Sequence, residues 1–297
     1  MDYRDEFRRA AVESGIPATE AAAFAEFIRF SIWTSPYYKG VPVGRSGGLP
    51  RLPAGTAWPE SPEGPLPYVV EFDCAALPTI DGLALPADGS LLVFLHHEDA
   101  YETYSITGQQ AYARIVHVPA GTETVPASEP EHGEWVFADS ERPFVAPEYR
   151  LRATVRPELP HWLARDTSRG LSDFQQRLAD TVPHRDRLRA LLAELWPAVE
   201  YGSHYDLGGY TGHIGGLYSP HLYDTAELTM AIENLEARGV DDVRGNEEEE
   251  LHRVMSEWVP LLQFHADDVH VARFLVRHDD LAAGRPDRAM LFCEFTE

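Results

Sequence analysis

Apolar positions change their spacing several times along the chain, and each change predicts a different kind of element. Over residues 1–33 they recur three and four apart. Phe7, Ala10 and Ala11 share one helix face, and after Gly15 and Pro17 a second set, Phe24, Phe27, Ile28 and Ile32, shares another, which predicts an N-terminal helical cap. From Tyr37 to Trp58 glycine and proline interrupt any regular period, so this stretch reads as extended and looped. Short apolar runs follow at Tyr68–Phe72, Ser90–Leu95, Ala111–Val118, Glu134–Phe137 and Tyr149–Val155, with turns such as Asp88-Gly89 and Ala120-Gly121 between them. This half reads as sheet.

The second half begins with helices. Ser172 stands where it caps a helix carrying Phe174 and Leu178, and Leu188, Leu191, Leu192 and Leu195 mark another that stops before Pro197. A glycine-rich stretch, Gly202–Gly216, follows. Asp224 with Glu227 has capping-box spacing for a helix holding Leu228, Ala231, Ile232 and Leu235 and closed by Gly239. Asn246 is the expected cap of the next helix, with Leu251, Val254, Met255 and Trp258 on its apolar face. Strands at Pro260–His265, Val271–Arg277 and Ala289–Phe295 complete the chain.

Two segments echo each other. Gly47-Gly48 leads through a Pro-rich loop to Leu66-Pro-Tyr-Val-Val-Glu-Phe-Asp73, and Gly208-Gly209 leads through a helical insertion to Trp258-Val-Pro-Leu-Leu-Gln-Phe-His265. A glycine pair followed by a Pro-flanked apolar strand, used twice, predicts a duplicated unit. The expected fold is therefore α+β: one domain over residues 1–297, with an internally duplicated mixed or antiparallel sheet, peripheral helices, the cap at 1–33 and pseudo-repeats at about 40–160 and 200–297. The two glycine turns are expected to meet, placing any pocket between the halves.

Composition narrows the partners. The chain has 297 residues, 44% of them apolar, with 25 basic against 48 acidic residues and a formal net charge of -23. So acidic a surface repels phosphate backbones and anionic lipids, which argues against nucleic acid and membrane partners. No run reaches the roughly 18 to 20 apolar residues of a membrane span, and the charged N-terminus lacks a signal-peptide core. Cys74 and Cys293 lie far apart in apolar segments, so the expectation is a cytoplasmic protein with two buried thiols.

Gly47-Gly-Leu-Pro50, Trp58-Pro59, Leu66–Asp73 and Gly89-Ser-Leu-Leu-Val-Phe-Leu95 together resemble the YwqG-like bacterial family, a domain of unknown function. The resemblance extends through Leu207-Gly-Gly-Tyr210, Leu261-Leu-Gln-Phe264 with Asp267-Asp268, and Arg273-Phe-Leu-Val-Arg-His-Asp-Asp-Leu281. It implies an α+β fold with internal duplication and carries no agreed catalytic residues. Relatives in toxin and immunity gene arrays imply a binding or immunity-like role. Asp268-Val-His-Val-Ala272 departs from the family's Trp-Gly-Asp-Ala-Gly-like turn, which puts any function of that turn in doubt here.

Four groups of residues carry candidate chemistry. Gly44-Arg-Ser-Gly-Gly48 spells a nucleophile elbow, but Leu49-Pro50 and Leu52-Pro53 bar the helix that motif needs, and a tight turn is the better reading. Arg45, His204, Asp206, Tyr210 and His213 surround the glycine turns and are the ligand-pocket candidates. His96 and His97 with Glu98-Asp99, and His265, Asp267, His270 and His278 in the second half, combine imidazole with carboxylate at strand ends; His96, His97, His265 and Asp267 are the candidate ligands for zinc or another divalent metal, although no strict metal motif is present. Asp241, Asp242 and Glu247, Glu248, Glu249 and Glu250 form an acidic group suited to a basic protein partner such as a toxin, and equally to complementing the start of a helix. No cofactor is called for by any motif. The leading expectation is a binding or immunity-like protein rather than an enzyme; the alternative is an enzyme or binder, metal-dependent or metal-free, acting on a small molecule.

Overall fold

Two helices open the chain, α1 (Tyr3–Glu13) and α2 (Ala18–Ala25), with Phe7 stacked on Phe24 at 5.4 Å between them. The structure is a computed structural model and describes residues 3–103, 105–133, 136–137, 142–164, 171–211, 213–214, 217–218 and 225–295, with the backbone alone at 213–214, 217–218, 225 and 244. The cap ends earlier than its apolar spacing predicts. Arg29–Ser35 is a strand, β1, so Ile32 sits in a sheet rather than on a helix face. Phe30, Ser31, Ile32, Thr34 and Ser35 are all buried, and a run enclosed on both faces satisfies its main chain best by pairing with neighbouring strands.

Nine further strands join β1: β2 (Pro42–Ser46), β3 (Tyr68–Asp73), β4 (Ser90–Leu95), β5 (Ala113–Val118), β6 (Tyr149–Glu158), β7 (Tyr205–Gly208), β8 (Trp258–His265), β9 (His270–Arg277) and β10 (Met290–Phe295). They form one sheet in the order β10-β9-β8-β7-β1-β6-β2-β3-β4-β5, and every paired neighbour is antiparallel. The fold is α+β. The remaining helices are α3 (His97–Glu102), α4 (Ile106–Gln109), α5 (His161–Ala164), α6 (Asp173–Ala179), α7 (Arg185–Leu195), α8 (Thr225–Ala237), α9 (Val243–Glu257) and α10 (His278–Ala282).

The strand order is symmetric about the β1–β6 pair. Outward from it, β2, β3, β4 and β5 on one side match β7, β8, β9 and β10 on the other, with α3 after β4 answering α10 after β9. The match reaches single residues. Register shifts fall between Tyr68 and Val70 in β3 and between Pro260 and Leu262 in β8, the same point of each strand. Arg45 pairs with Glu71 across β2 and β3, as Asp206 pairs with Gln263 across β7 and β8.

A flat sheet would hold β8 and β4 six strand steps apart, about 29 Å. Yet His97, just past β4, touches Asp267, just past β8, at 2.9 Å. The sheet therefore curls until its two edges face each other across α3 and α4. Gln109 and Gln110 close the seam: their side-chain amides donate to the carbonyls of Cys293 and Leu291 at 3.2 and 2.8 Å and accept from the same residues' N–H at 2.9 and 2.8 Å. Two glutamines thus stand in for a missing strand along β10 and cover an edge that would otherwise pair with another chain.

The enclosed core draws on the cap (Phe7, Phe24), on β4 (Val93, Leu95) and on β9 (Phe274, Val276). The outer faces are covered differently. Leu92 and Phe94 lie under the Pro-rich insertion carrying Trp58, whereas Leu275 and Phe292 lie under the α8–α9 hairpin.

Local signals held unevenly. Ser172 caps α6 in a reciprocal box with Gln175. Asn246 does not cap the helix; α9 starts a turn earlier, and Asp242, which stands where the chain enters the helix, accepts the Gly245 N–H at 3.0 Å. Asp224 lies outside the described residues, and of the expected strand at 134–137 only Val136 and Phe137 are described, in irregular backbone. Both cysteines are free and buried.

Candidate functional site

The glycine turns take the same backbone form but do not meet. Gly47, Gly48, Gly208 and Gly209 have φ of 69°, 70°, 78° and 78°, a region that favours glycine. Ser46 lies opposite Tyr149 on β6, whereas Gly208 lies opposite Ser31, itself opposite Arg156. The length of β6 from Tyr149 to Arg156, about 23 Å at the usual strand rise, separates them. Antiparallel pairing sends the two turns to opposite ends of the curled sheet.

The pocket candidates are dispersed with them. Arg45 is held by Glu71 at 2.8 Å and Glu148 at 3.0 Å. Asp206 is fully buried within β7. His204 is tied to β1 through its N–H to the Thr34 carbonyl at 2.7 Å and a 3.3 Å contact with Ser35 Oγ. Tyr210 donates its N–H to Glu158 at 2.7 Å and its hydroxyl to the Phe27 carbonyl at 2.9 Å. The side chain of His213 lies outside the described residues. The acidic group is also divided. Asp241 and Glu249 are exposed, Asp242 is a helix cap, and Glu247 and Glu248 are half-buried. Glu250 is buried between Arg238 and Arg253, whose hydrogen bonds, Arg253 foremost, hold its carboxyl down at about 2.

The imidazoles behave otherwise. His96 and His97 follow β4 where the chain turns into α3, and their rings take different partners. His96 becomes the cap of α3, its Nδ1 accepting from the Asp99 N–H at 3.3 Å and its Nε2 donating to the Val136 carbonyl at 2.8 Å, so both ring nitrogens are engaged away from Asp267. His97 turns inward and is 3% exposed. There its Nε2 lies 2.9 Å from Asp267 Oδ2, and His270 Nδ1 lies 2.8 Å from the same oxygen. Asp267 Oδ1 accepts the N–H groups of Val269 and His270 at 2.8 and 2.6 Å, which fixes the carboxylate. His265 sits on the exposed end of β8, outside this group. The residue that the sequence reading left off the ligand set is His270. An Asp followed three residues later by His across a tight turn was its signal.

Burial drives the basicity of His97 down to about 4 against the pull of Asp267, so the ring is neutral at neutral pH. Burial would raise Asp267, but the His270 ring and the two main-chain N–H groups outweigh it and hold the carboxyl at about 2. A carboxylate whose one oxygen faces the neutral His97 ring and the His270 ring is the resulting arrangement. Phe137 packs on the His97 ring at 4.7 Å, and Tyr101 and Phe295 flank His270 at 5.2 and 5.4 Å. Cys293 lies close, its Sγ 3.3 Å from the His97 carbonyl, but burial pushes the thiol up to about 12, and it remains a thiol. His97, Asp267 and His270 are the one group among the described residues whose ligand atoms could hold a metal, all within 4.8 Å of one another.

Beside His97 a cavity of about 380 Å³ is lined by Leu95, Phe137, Phe144 and Phe264, with Arg142 and the Ser46–Tyr205 hydroxyl pair (2.7 Å) among its polar groups. A model of a domain of unknown function, DUF1963, matches residues 44–294. The chain belongs to the DUF1963 family. No curated protein matches it. The DUF1963 match begins inside β2 and ends inside β10, so it takes in all three side chains of the cluster and leaves the helical cap outside. No described helix is long and apolar enough to cross a membrane.

Proposed function

We propose that this DUF1963 protein binds a divalent transition metal ion, zinc or a close neighbour, through His97 Nε2, Asp267 Oδ2 and His270 Nδ1, beside a cavity sized for a small molecule. The observation that carries the reading is the mutual reach of three buried ligand atoms within 4.8 Å. Two imidazoles and one carboxylate form the donor set of catalytic zinc and of non-haem iron sites, both of which leave positions open. Bonds of about 2.0–2.1 Å in a tetrahedral zinc site set ligand atoms about 3.3 Å apart. The two nitrogens stand 2.9 and 2.8 Å from Oδ2, so to admit an ion these two edges would open by about 0.5 Å and each ring would give up the proton it turns towards Oδ2. Asp267 Oδ1 keeps its two main-chain N–H bonds meanwhile and holds the carboxylate in place.

The partner-binding reading has less behind it. Asp242 and Glu250 are engaged within the α8–α9 hairpin, and the formal charge of -23 is what still favours a basic partner such as the toxin implied by the YwqG-like resemblance.

Zinc titrated into chelator-treated protein and followed by calorimetry tests the metal reading. One equivalent is expected to bind, His97→Ala or His270→Ala to weaken it at least about 100-fold, and His278→Ala to leave it unchanged. Protein that takes up neither zinc, cobalt, nickel nor iron, or a His97→Ala variant with wild-type affinity, overturns it.

A further inference from the structure

A cavity of about 450 Å³ opens between the end of the helical cap, α5, α6 and α9, away from the metal ligands and sharing no lining residue with the cavity beside His97. Its walls are largely aromatic and aliphatic. Phe27 meets Trp162 edge-on at 5.3 Å, Phe174 meets His252 edge-on at 5.5 Å, and Leu251 and Met255 of α9 complete the apolar lining. Such walls bind flat apolar bodies, while a few polar groups fix their orientation.

Arg29 is the cation in this lining. Its guanidinium lies 4.4 Å over the Tyr210 ring and donates to the main-chain carbonyls of Gly209, at 3.4 Å, and Met255. No carboxylate among the described residues forms an ion pair with it, whereas Arg45, also half-buried, has Glu71 and Glu148. Glu227, the buried acid that senses the Arg29 charge, is held by Thr211 Oγ1 at 2.7 Å, and burial pushes it towards its neutral form. A guanidinium has five N–H donors, and the two bonds to carbonyls leave three for a ligand such as a carboxylate. No described acid, Glu26 and Glu248 of the lining included, forms an ion pair with it, and the carboxylate of a ligand would supply that pair.

We propose that this crevice binds an aromatic monocarboxylate, the carboxylate on Arg29 and the ring between Trp162 and Phe174. Glu26 and Glu248, also in the lining, oppose a second negative charge and select against dicarboxylates and phosphates. The site is independent of the metal reading, since it uses none of the same residues.

Calorimetry with indole-3-acetate as the probe and tryptamine as its cationic counterpart tests this. Indole-3-acetate is expected to bind with a Kd below about 1 mM and tryptamine about tenfold or more weaker. Arg29→Gln is expected to lower the affinity about 10- to 100-fold, and Phe174→Ala about tenfold. Phe174 is a half-buried wall residue, so that variant decides the matter if Arg29→Gln does not fold. Equal binding of the two probes, no binding of indole-3-acetate at about 10 mM, or unchanged affinity in Phe174→Ala overturns the proposal.

Discussion

His97 and His278 occupy matching places, each opening the helix that follows the third strand outward in its own half, yet their surroundings differ. His97 is buried against Asp267 and His270. His278 is half-buried, is lowered in basicity mainly by burial and by the Arg29 charge, and meets the main chain of Gly82. The cause lies in the turn that each histidine faces, which comes from the opposite half. Residues 266–269 join β8 to β9 so tightly that Asp267 folds onto the N–H groups of Val269 and His270 and offers its other oxygen to His97. Residues 74–89 join β3 to β4 by a longer path, and what reaches His278 is backbone. Symmetric strand order delivers the same position twice, and the turn across the seam decides its chemistry.

The widest test of that symmetry is at the glycine turns. A Cβ on Gly47 would lie 2.2 Å from the Pro147 carbonyl oxygen, and one on Gly209 would lie 2.2 Å from a Glu158 carboxylate oxygen. Backbone yields less readily than a side chain, so Gly47→Ala is expected to lower stability by about 3 to 4 kcal/mol and Gly209→Ala by about 2 to 3 kcal/mol, read from urea midpoints. Equal losses would mean that the buried Glu158, which also receives Ser31 and Trp33, is as rigid as main chain.

Asp267→Asn and His278→Gln compare the two histidine ends directly. Removing the charge that accepts two imidazoles and two main-chain N–H groups is expected to cost about 3 kcal/mol in metal-free protein, whereas His278→Gln should stay within about 0.5 kcal/mol. Similar losses in both would erase the distinction.

The smallest effect concerns the two covers. Glu250 is depressed to about 2 from 4.5, so the stability it lends the α8–α9 hairpin is complete above about 4.5 and is lost as pH falls through about 2. Glu250→Gln should flatten that acid limb by about 1 kcal/mol, since its arginine partners are half exposed. The cover of the first half rests on Trp58, whose Nε1 donates to the Leu66 carbonyl at 2.8 Å and whose ring packs on Phe94 and Phe144. Trp58→Phe should therefore leave the acid limb as it is.

The outer strands were legible because Ser90–Leu95, Val271–Arg277 and Ala289–Phe295 are short, mostly apolar runs bounded by turns. Of the central ones β6 was read, at Tyr149–Val155, and three others were not. β1 was hidden by a coincidental helical spacing, β2 by the Gly-Pro stretch around it, and β7 by its four residues. These strands bury Ser31, Thr34, Ser35 and Asp206, polar residues that read as surface until a sheet encloses them. Of the site, His97 and Asp267 were legible as residue types at strand ends. Their pairing was not, because 170 positions separate them and only closure of the seam brings them together.

By itself the sequence determined the α+β class, the paired glycine turns, the helix cap at Ser172 and the acidic balance. All of these depend on neighbours within a few residues or on composition. The tertiary structure decided which ends of the sheet meet, that the glycine turns stand apart, and that His270 rather than His265 completes the cluster. Those outcomes depend on how far ten strands twist and curl before Gln109 and Gln110 can seal the edge, a sum over the whole sheet that no local stretch encodes.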